Sequence, residues 1–213
     1  PVVVSNNGES IYIHAPDGQL FALDARNGHE KWRTEIYADN TPAIGSDGTI
    51  YTISETDRSE PSYLYAVNPD SGAVKWKLQI SNKNVGECNL AVADDGTIYI
   101  STQDNLYAVT SSGEMQWQMQ VADRLTAPAI GKDVLYVGTG EGVLYAINFD
   151  GTVKWKCETD DTIYLPPIID SYGTVYVCSG NKLYALEPFS GDVLFRYILQ
   201  ERITAGPIID QKS

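Results

Sequence analysis

A unit of about 40 residues recurs five times along this chain, and that repetition restricts the fold more than any other feature. Its first mark is an apolar residue followed by tyrosine: Ile11-Tyr12, Ile50-Tyr51, Ile98-Tyr99, Leu135-Tyr136 and Val175-Tyr176. The steps between those tyrosines are 39, 48, 37 and 40 residues. The second mark is a four-residue string: Leu20-Phe21-Ala22-Leu23, Leu64-Tyr65-Ala66-Val67, Leu106-Tyr107-Ala108-Val109, Leu144-Tyr145-Ala146-Ile147 and Leu183-Tyr184-Ala185-Leu186. The third is a glycine with an aromatic residue four positions on: Gly28 to Trp32, Gly72 to Trp76, Gly113 to Trp117, Gly151 to Trp155 and Gly191 to Phe195.

Each unit reads as four short strands. Asn27-Gly28, Ser71-Gly72, Ser112-Gly113, Asp150-Gly151 and Ser190-Gly191 supply the positive φ of tight turns between the third and fourth strands. The fourth strand alternates, as in Val74, Trp76, Leu78 and Ile80 against Lys75, Lys77 and Gln79. Period two means one packed face and one wet face. The first strand follows proline in Thr41-Pro42-Ala43-Ile44, Ala127-Pro128-Ala129-Ile130, Pro166-Pro167-Ile168-Ile169 and Gly206-Pro207-Ile208-Ile209. Proline donates nothing to a ladder and belongs at a strand start or on an edge. Lys75, Lys77, Lys154 and Lys156 mark the fourth strand as the other edge, where charge discourages pairing. The expected fold class is all-β: a β-propeller of four-stranded antiparallel blades, with five complete blades in one domain over residues 1–213. The blades fall at about 1–37, 38–81, 82–122, 123–160 and 161–200, and 201–213 starts a further blade or supplies a closing strand.

These residues resemble the PQQ-like repeat family of quinoprotein-type propellers. Gly48-Thr49-Ile50-Tyr51, Ser71-Gly72 and Lys75-Trp76 carry the likeness, as do Leu135-Tyr136-Val137-Gly138, Asp150-Gly151 and Lys154-Trp155-Lys156. The resemblance covers essentially the whole chain. It implies that Trp32, Trp76, Trp117 and Trp155 dock neighbouring blades, with Phe195 departing from the pattern and making a looser interface. It also implies a ring of six to eight blades, of which this chain is a piece. The end blades then expose broken faces that invite self-association. The family holds dehydrogenases that bind pyrroloquinoline quinone (PQQ) with calcium, and cofactor-free BamB-like scaffolds. The dehydrogenases carry a vicinal Cys-Cys pair and a tryptophan platform. Here Cys88, Cys157 and Cys178 are scattered, and every tryptophan sits at a docking position. The resemblance therefore falls closer to the scaffolds and implies no cofactor. A PQQ–calcium enzyme, or a fragment of one, is the alternative.

A net charge of −13 argues against nucleic acid or an anionic membrane as the main partner, and no apolar run reaches the length of a membrane helix. The chain opens at Pro1-Val2-Val3-Val4 with no signal peptide, which leaves the compartment open. An extracytoplasmic setting rests on the resemblance alone. His14 and His29 are too isolated for zinc, and the aspartates of Asp47-Gly48 and Asp95-Gly96 read as turn formers with no calcium-loop pattern.

Where the units differ is where binding is expected. In antiparallel blades, fourth-to-first connections and second-to-third turns share one face. That face carries the candidate contacts: Tyr37, Asp39 and Asn40; Glu55, Asp57, Arg58 and Glu60 of an insertion over 55–62 in the second unit, with Tyr63 beside it; Asn84 and Glu87; Asp123 and Arg124; Asp160, Asp161 and Tyr164; Glu201 and Arg202. Tyr37, Tyr63 and Tyr164 fall outside the repeat register and suit recognition. Asp160-Asp161 reads first as a solvated loop and second as an acid/base or cation site. A protein or peptide partner is the leading expectation, and a carbohydrate ligand is a further alternative.

Overall fold

The computed structural model describes residues 2–209 apart from 16–17, 39, 55–59, 83–84, 86–87 and 122–123. It contains five four-stranded antiparallel sheets, each formed by four consecutive strands in chain order. The first holds β1 (Val2–Val4), β2 (Ser10–His14), β3 (Gln19–Asp24) and β4 (Glu30–Glu35). The second holds β5 (Ala43–Ile44), β6 (Ile50–Ile53), β7 (Ser62–Val67) and β8 (Val74–Ser81). The third holds β9 (Asn89–Val92), β10 (Ile98–Ser101), β11 (Asn105–Val109) and β12 (Met115–Gln120). The fourth holds β13 (Ala129–Ile130), β14 (Val134–Gly138), β15 (Val143–Asn148) and β16 (Val153–Glu158). The fifth holds β17 (Ile168–Ile169), β18 (Val175–Ser179), β19 (Lys182–Leu186) and β20 (Val193–Ile198).

The chain forms two compact units that divide inside the third sheet: Pro1–Tyr99 with Ala108–Gln116, and Ile100–Tyr107 with Trp117–Ser213. As the prolines required, β5, β13 and β17 begin immediately after Pro42, Pro128 and Pro167. Residues 206–209, which carry the same pattern, form no strand, and Ile208 is 96% exposed. A first strand needs a second to pair with, and none follows among the described residues.

The turns are built as their residues dictate. Asp47 Oδ1 accepts the Thr49 N–H at 2.9 Å, and Asp95 Oδ1 accepts the Thr97 N–H at 2.9 Å. In the fifth sheet Tyr172 stands where those aspartates stand, and Asp170 takes over by accepting the N–H groups of Tyr172 and Thr174, each at 2.9 Å. The repeat tyrosines pack as expected, with Tyr12, Tyr51, Tyr99 and Tyr136 at most 3% exposed. Burial, and then the charge of Asp95, pushes the Tyr99 hydroxyl up to about 12, so it does no acid–base work near neutral pH. Cys88, Cys157 and Cys178 form no disulfide, and burial raises the pKa of Cys157 and Cys178.

What joins one sheet to the next is a ring set on a turn. A bulge in the fourth strand of the first, second, fourth and fifth sheets places the aromatic residue opposite an alanine: Ala22 faces Trp32, Ala66 faces Trp76, Ala146 faces Trp155 and Ala185 faces Phe195. Alanine leaves room for an indole. Each tryptophan then covers the glycine turn of the following sheet. A Cβ at Gly72 would lie 2.5 Å from the Trp32 ring, and one at Gly113 would lie 2.8 Å from Trp76. In the second unit a Cβ at Gly151 would lie 2.9 Å from Trp117, and one at Gly191 2.6 Å from Trp155. Each indole N–H donates to the second residue of the turn it covers: Pro69 O at 2.8 Å, Ser111 O at 2.9 Å, Phe149 O at 2.8 Å and Pro188 O at 3.0 Å. One docking turn differs, because nothing lies within 4 Å of a Cβ built at Gly28.

That difference gives a graded prediction. Gly72 (φ +72°) and Gly28 (φ +74°) share a conformation that costs an L-residue about 1–2 kcal/mol. Gly72→Ala adds overpacking against an indole, for a total of about 2–5 kcal/mol. Gly28→Ala should show only the conformational part. Denaturant midpoints of the two variants measure the gap, and equal losses would mean that the ring contact is not what Gly72 is for.

Candidate functional site

The expected contact residues do not all reach the surface. In the first unit Tyr37 is 58% exposed, and a Cβ at Gly18 (φ +83°) would fall onto its ring, so the glycine lets the ring lie across the β2–β3 turn. Asn40, expected on the face, is buried at 7% exposure. Its Oδ1 accepts the Thr52 hydroxyl at 2.9 Å, and Thr52 in turn meets His14 Nε2 at 3.0 Å. This ladder belongs to the interior, which turns the Asn40 expectation inward. Sequence reasoning treats His14 as isolated, since Thr52 lies 38 positions away. Tyr63 is half-buried, with Lys77 Nζ 5.0 Å above its ring, and Glu60 is exposed. Asp39, Glu55, Asp57, Arg58, Asn84, Glu87 and Asp123 lie outside the described residues.

In the second unit the structure assembles a cluster. The loop from β16 to β17 carries Asp160, Asp161 and Tyr164, and the segment after β20 brings Arg202 to it. Asp160 Oδ2 accepts Lys182 Nζ at 2.6 Å and the Tyr184 hydroxyl at 2.6 Å, with Arg196 Nη1 at 3.7 Å. Asp161 Oδ1 accepts the Thr162 N–H at 2.6 Å, the Thr162 hydroxyl at 3.1 Å and Arg202 Nη2 at 3.3 Å. Arg202 also donates to Thr162 Oγ1 at 2.7 Å, and its guanidinium lies 5.3 Å from the centre of the Tyr164 ring. Tyr164 itself is 54% exposed.

The backbone beneath is close-packed. Thr159 Oγ1 donates to Gly142 O at 2.7 Å, and the Asp161 N–H donates to Ser179 Oγ at 3.0 Å. A Cβ at Gly142 would come 2.5 Å from the Asp161 carbonyl oxygen, and one at Gly180 would run into the Asp161 carboxylate. The glycine run at 138–142 is therefore a β14–β15 turn that lets the acidic loop approach. Arg124, also expected on this face, holds φ +56° and is tied through its backbone: its N–H donates to Gln103 O at 2.6 Å, and its carbonyl accepts the Gly140 N–H at 2.9 Å. Glu201 is exposed beside Arg202.

The chemistry of this cluster follows from its charges. Hydrogen bonds from Lys182 and then Tyr184 hold the Asp160 carboxyl below the ordinary range, and the Thr162 backbone N–H does the same for Asp161. Both are carboxylates at neutral pH, so neither is poised as a general acid. Among the described residues no group of three or more His, Cys, Asp or Glu is placed to hold a metal. Trp32, Trp76, Trp117 and Trp155 all cover glycine turns, and Cys88, Cys157 and Cys178 form no disulfide. What the cluster offers is an exposed tyrosine and a guanidinium held in fixed geometry by ionised side chains.

Five four-stranded antiparallel sheets joined by tryptophan on glycine define a β-propeller of the PQQ-like repeat class. More narrowly, the chain belongs to the family described as outer membrane protein assembly factor BamB, whose model matches residues 1–78 and 60–204. It is similar to the BamB of Yersinia pestis, 25% identical over 200 residues that make up 91% of this chain and 42% of that protein. It is also similar to the putative dehydrogenase XoxF of Paracoccus denitrificans, 30% identical over 123 residues, 54% of this chain and 19% of that one. Among solved structures it superposes on BamB from Moraxella catarrhalis with a TM-score of 0.73 at 19% identity, covering 95% of this chain and 64% of that chain. The chain thus spans less than half the length of these two sequence relatives.

The carboxylates of the cluster give a pH prediction. A depressed folded-state pKa adds stability above the unfolded value near 4, and that stability is lost as pH falls through the folded value. The thermal midpoint should therefore drop between about pH 5 and pH 2, and the drop should be shallower in Asp160→Asn/Asp161→Asn. An unchanged acid limb in the double variant would mean that solvent already screens both pairs.

Proposed function

We propose that this chain is a non-catalytic scaffold that binds a protein or peptide partner through the loop face of its second unit, in an extracytoplasmic compartment. The observation that carries this reading is the Tyr164–Arg202 pair. An exposed ring and a guanidinium are the side chains that most often anchor protein interfaces, and here Asp161 and Thr162 hold the guanidinium in place. Pre-positioning lowers the entropy lost when a partner arrives. The BamB membership supports both the scaffold role and the compartment, because the name of that family is outer membrane protein assembly factor. The likeness to XoxF covers 54% of this chain and 19% of that protein, and each of the four tryptophans here covers a glycine turn.

The test uses an outer-membrane β-barrel assembly machine from which its own BamB has been removed. The chain should bind it. Tyr164→Ala combined with Arg202→Ala should weaken binding at least about tenfold. Tyr172→Ala, at the other end of β17 and 86% exposed, should leave binding unchanged. Equal loss at Tyr172, or substrate turnover that depends on Tyr164 and Arg202, would overturn the reading.

A further inference from the structure

The first-to-second and third-to-fourth turns lie on the face opposite the loop face, and in each unit a groove opens among them over a sheet joint. In the first unit its volume is about 330 Å³, and one ammonium group, Lys31, stands there against the carboxylates of Glu9, Asp47 and Asp70. In the second unit the matching groove is about 400 Å³, and Lys132 and Lys154 balance Asp133 and Asp170. Two rings have taken the place of two acids. Tyr172 stands at the turn position of Asp47, and Phe189 at that of Asp70. The rings are 86% and 74% exposed. That exposure belongs to the turn positions themselves, because Asp47, Asp70, Asp95 and Asp150 are exposed at the same places in the second, third and fourth sheets.

The groove of the second unit has two unlike walls. The fifth sheet supplies the rings. The fourth supplies Lys132 and Asp133, exposed neighbours in the β13–β14 turn that pair with no other group among the described residues. The polar groups of the floor are already engaged. Pro188 O accepts the Trp155 indole N–H at 3.0 Å, with the Tyr136 hydroxyl at 3.4 Å, and Asp170 Oδ2 accepts the Tyr176 hydroxyl at 3.1 Å. Lys154 has left the role of its counterpart. Lys31 donates to Ser10 Oγ at 2.8 Å, but Val134 stands in the place of Ser10, and Lys154 Nζ lies instead 5.0 Å from the centre of the Phe189 ring. That contact restrains the ring before a ligand arrives.

We infer that this groove binds a neutral oligosaccharide, a flat β-1,4-linked chain of pyranoses. A pyranose with equatorial substituents has two faces of C–H groups and a rim of hydroxyls that both donate and accept. The faces leave water for the exposed rings of Tyr172 and Phe189. The rim meets Lys132, which only donates, and Asp133, which only accepts, so adjacent hydroxyls serve both. The balance of charge fits a ligand without charge: an anion would meet Asp133 and a cation the two ammonium groups. The volume falls within the range of small-ligand sites. This groove and the Tyr164–Arg202 pair lie at opposite ends of β17, and neither reading rests on the other.

The experiment is isothermal titration calorimetry of the 213-residue chain with cellotetraose and with N-acetylchitotetraose, two neutral β-1,4-linked probes. At least one should saturate the groove with a dissociation constant of about 1 mM or tighter. Tyr172→Ala and Phe189→Ala should each weaken binding about tenfold, whereas Tyr172→Phe keeps the ring and should stay within about twofold. Tyr172→Asp combined with Phe189→Asp installs what the second sheet carries at these turns. It should keep the far-ultraviolet circular dichroism of the parent and show no saturable binding. Raising sodium chloride from about 0.05 to about 0.5 M should change the affinity of the parent less than about twofold, as expected of a ligand without charge. Tyr172→Ala is also the variant expected to keep partner binding, so its loss of saccharide binding alone separates the two sites. Silence of both probes, equal affinity in the parent and the double aspartate variant, or displacement of a bound probe by an equimolar amount of benzoate would overturn the inference.

Discussion

The structure depends on one contact repeated four times, an indole ring laid on the glycine turn of the next sheet. The positive φ of that glycine and its missing Cβ are both needed, because the ring occupies the space a side chain would take. The indole N–H ends on a turn carbonyl that would otherwise be covered by an apolar ring and left without a partner. The bulge opposite alanine brings the ring to that spot. Ring, glycine, alanine and bulge therefore form one device, and its parts come from two adjacent repeats. This is why a single repeat has no finished core, and why the joint cores contain residues of two consecutive sheets.

The fold was legible because the repeats encode that device at fixed spacing. Gly28 to Trp32 and its four counterparts place turn and ring in register. The Leu-Tyr-Ala strings identify the third strands, and the prolines mark where first strands begin. Residues 206–209 carry the same proline signal yet form no strand, because hydrogen-bond pairing requires a neighbour that a local pattern cannot supply. Phe195 was readable as a departure from the tryptophan pattern. That both Phe195 and Gly28 stand uncovered needed the three-dimensional arrangement.

The candidate site was legible only as a region. Topology put Asp160, Asp161, Tyr164 and Arg202 on one type of loop, and the structure brought them together in the second unit. The pairings that give the site its character join residues 22 to 41 positions apart: Lys182 and Tyr184 with Asp160, and Arg202 with Asp161. No local spacing rule announces such pairs, so the acidic dipeptide read as a plain solvated loop. Asn40 misled in the opposite direction. A polar residue in a connecting loop suggests solvent, but its side chain turns inward to satisfy Thr52.

The outer edges of the sheets give independent weight to the distinction of the fifth. A fourth strand is an edge, and in three of the five sheets a lysine beside the docking ring guards it. Lys31 and Lys75 occupy that position in the first two sheets, with their ammonium groups tied to Ser10 Oγ and Thr49 Oγ1 at 2.8 Å, and Lys154 occupies it in the fourth. The fifth sheet has Leu194 there instead, and Ile198 two residues beyond Arg196 continues the same face. With Phe195 and Tyr197 on the other face, β20 exposes apolar side chains in both directions along one strand. Charge at an edge opposes pairing, and its replacement by leucine removes that opposition where the docking face is also uncovered. The two departures, no lysine guard and no indole N–H, fall on neighbouring residues of one strand.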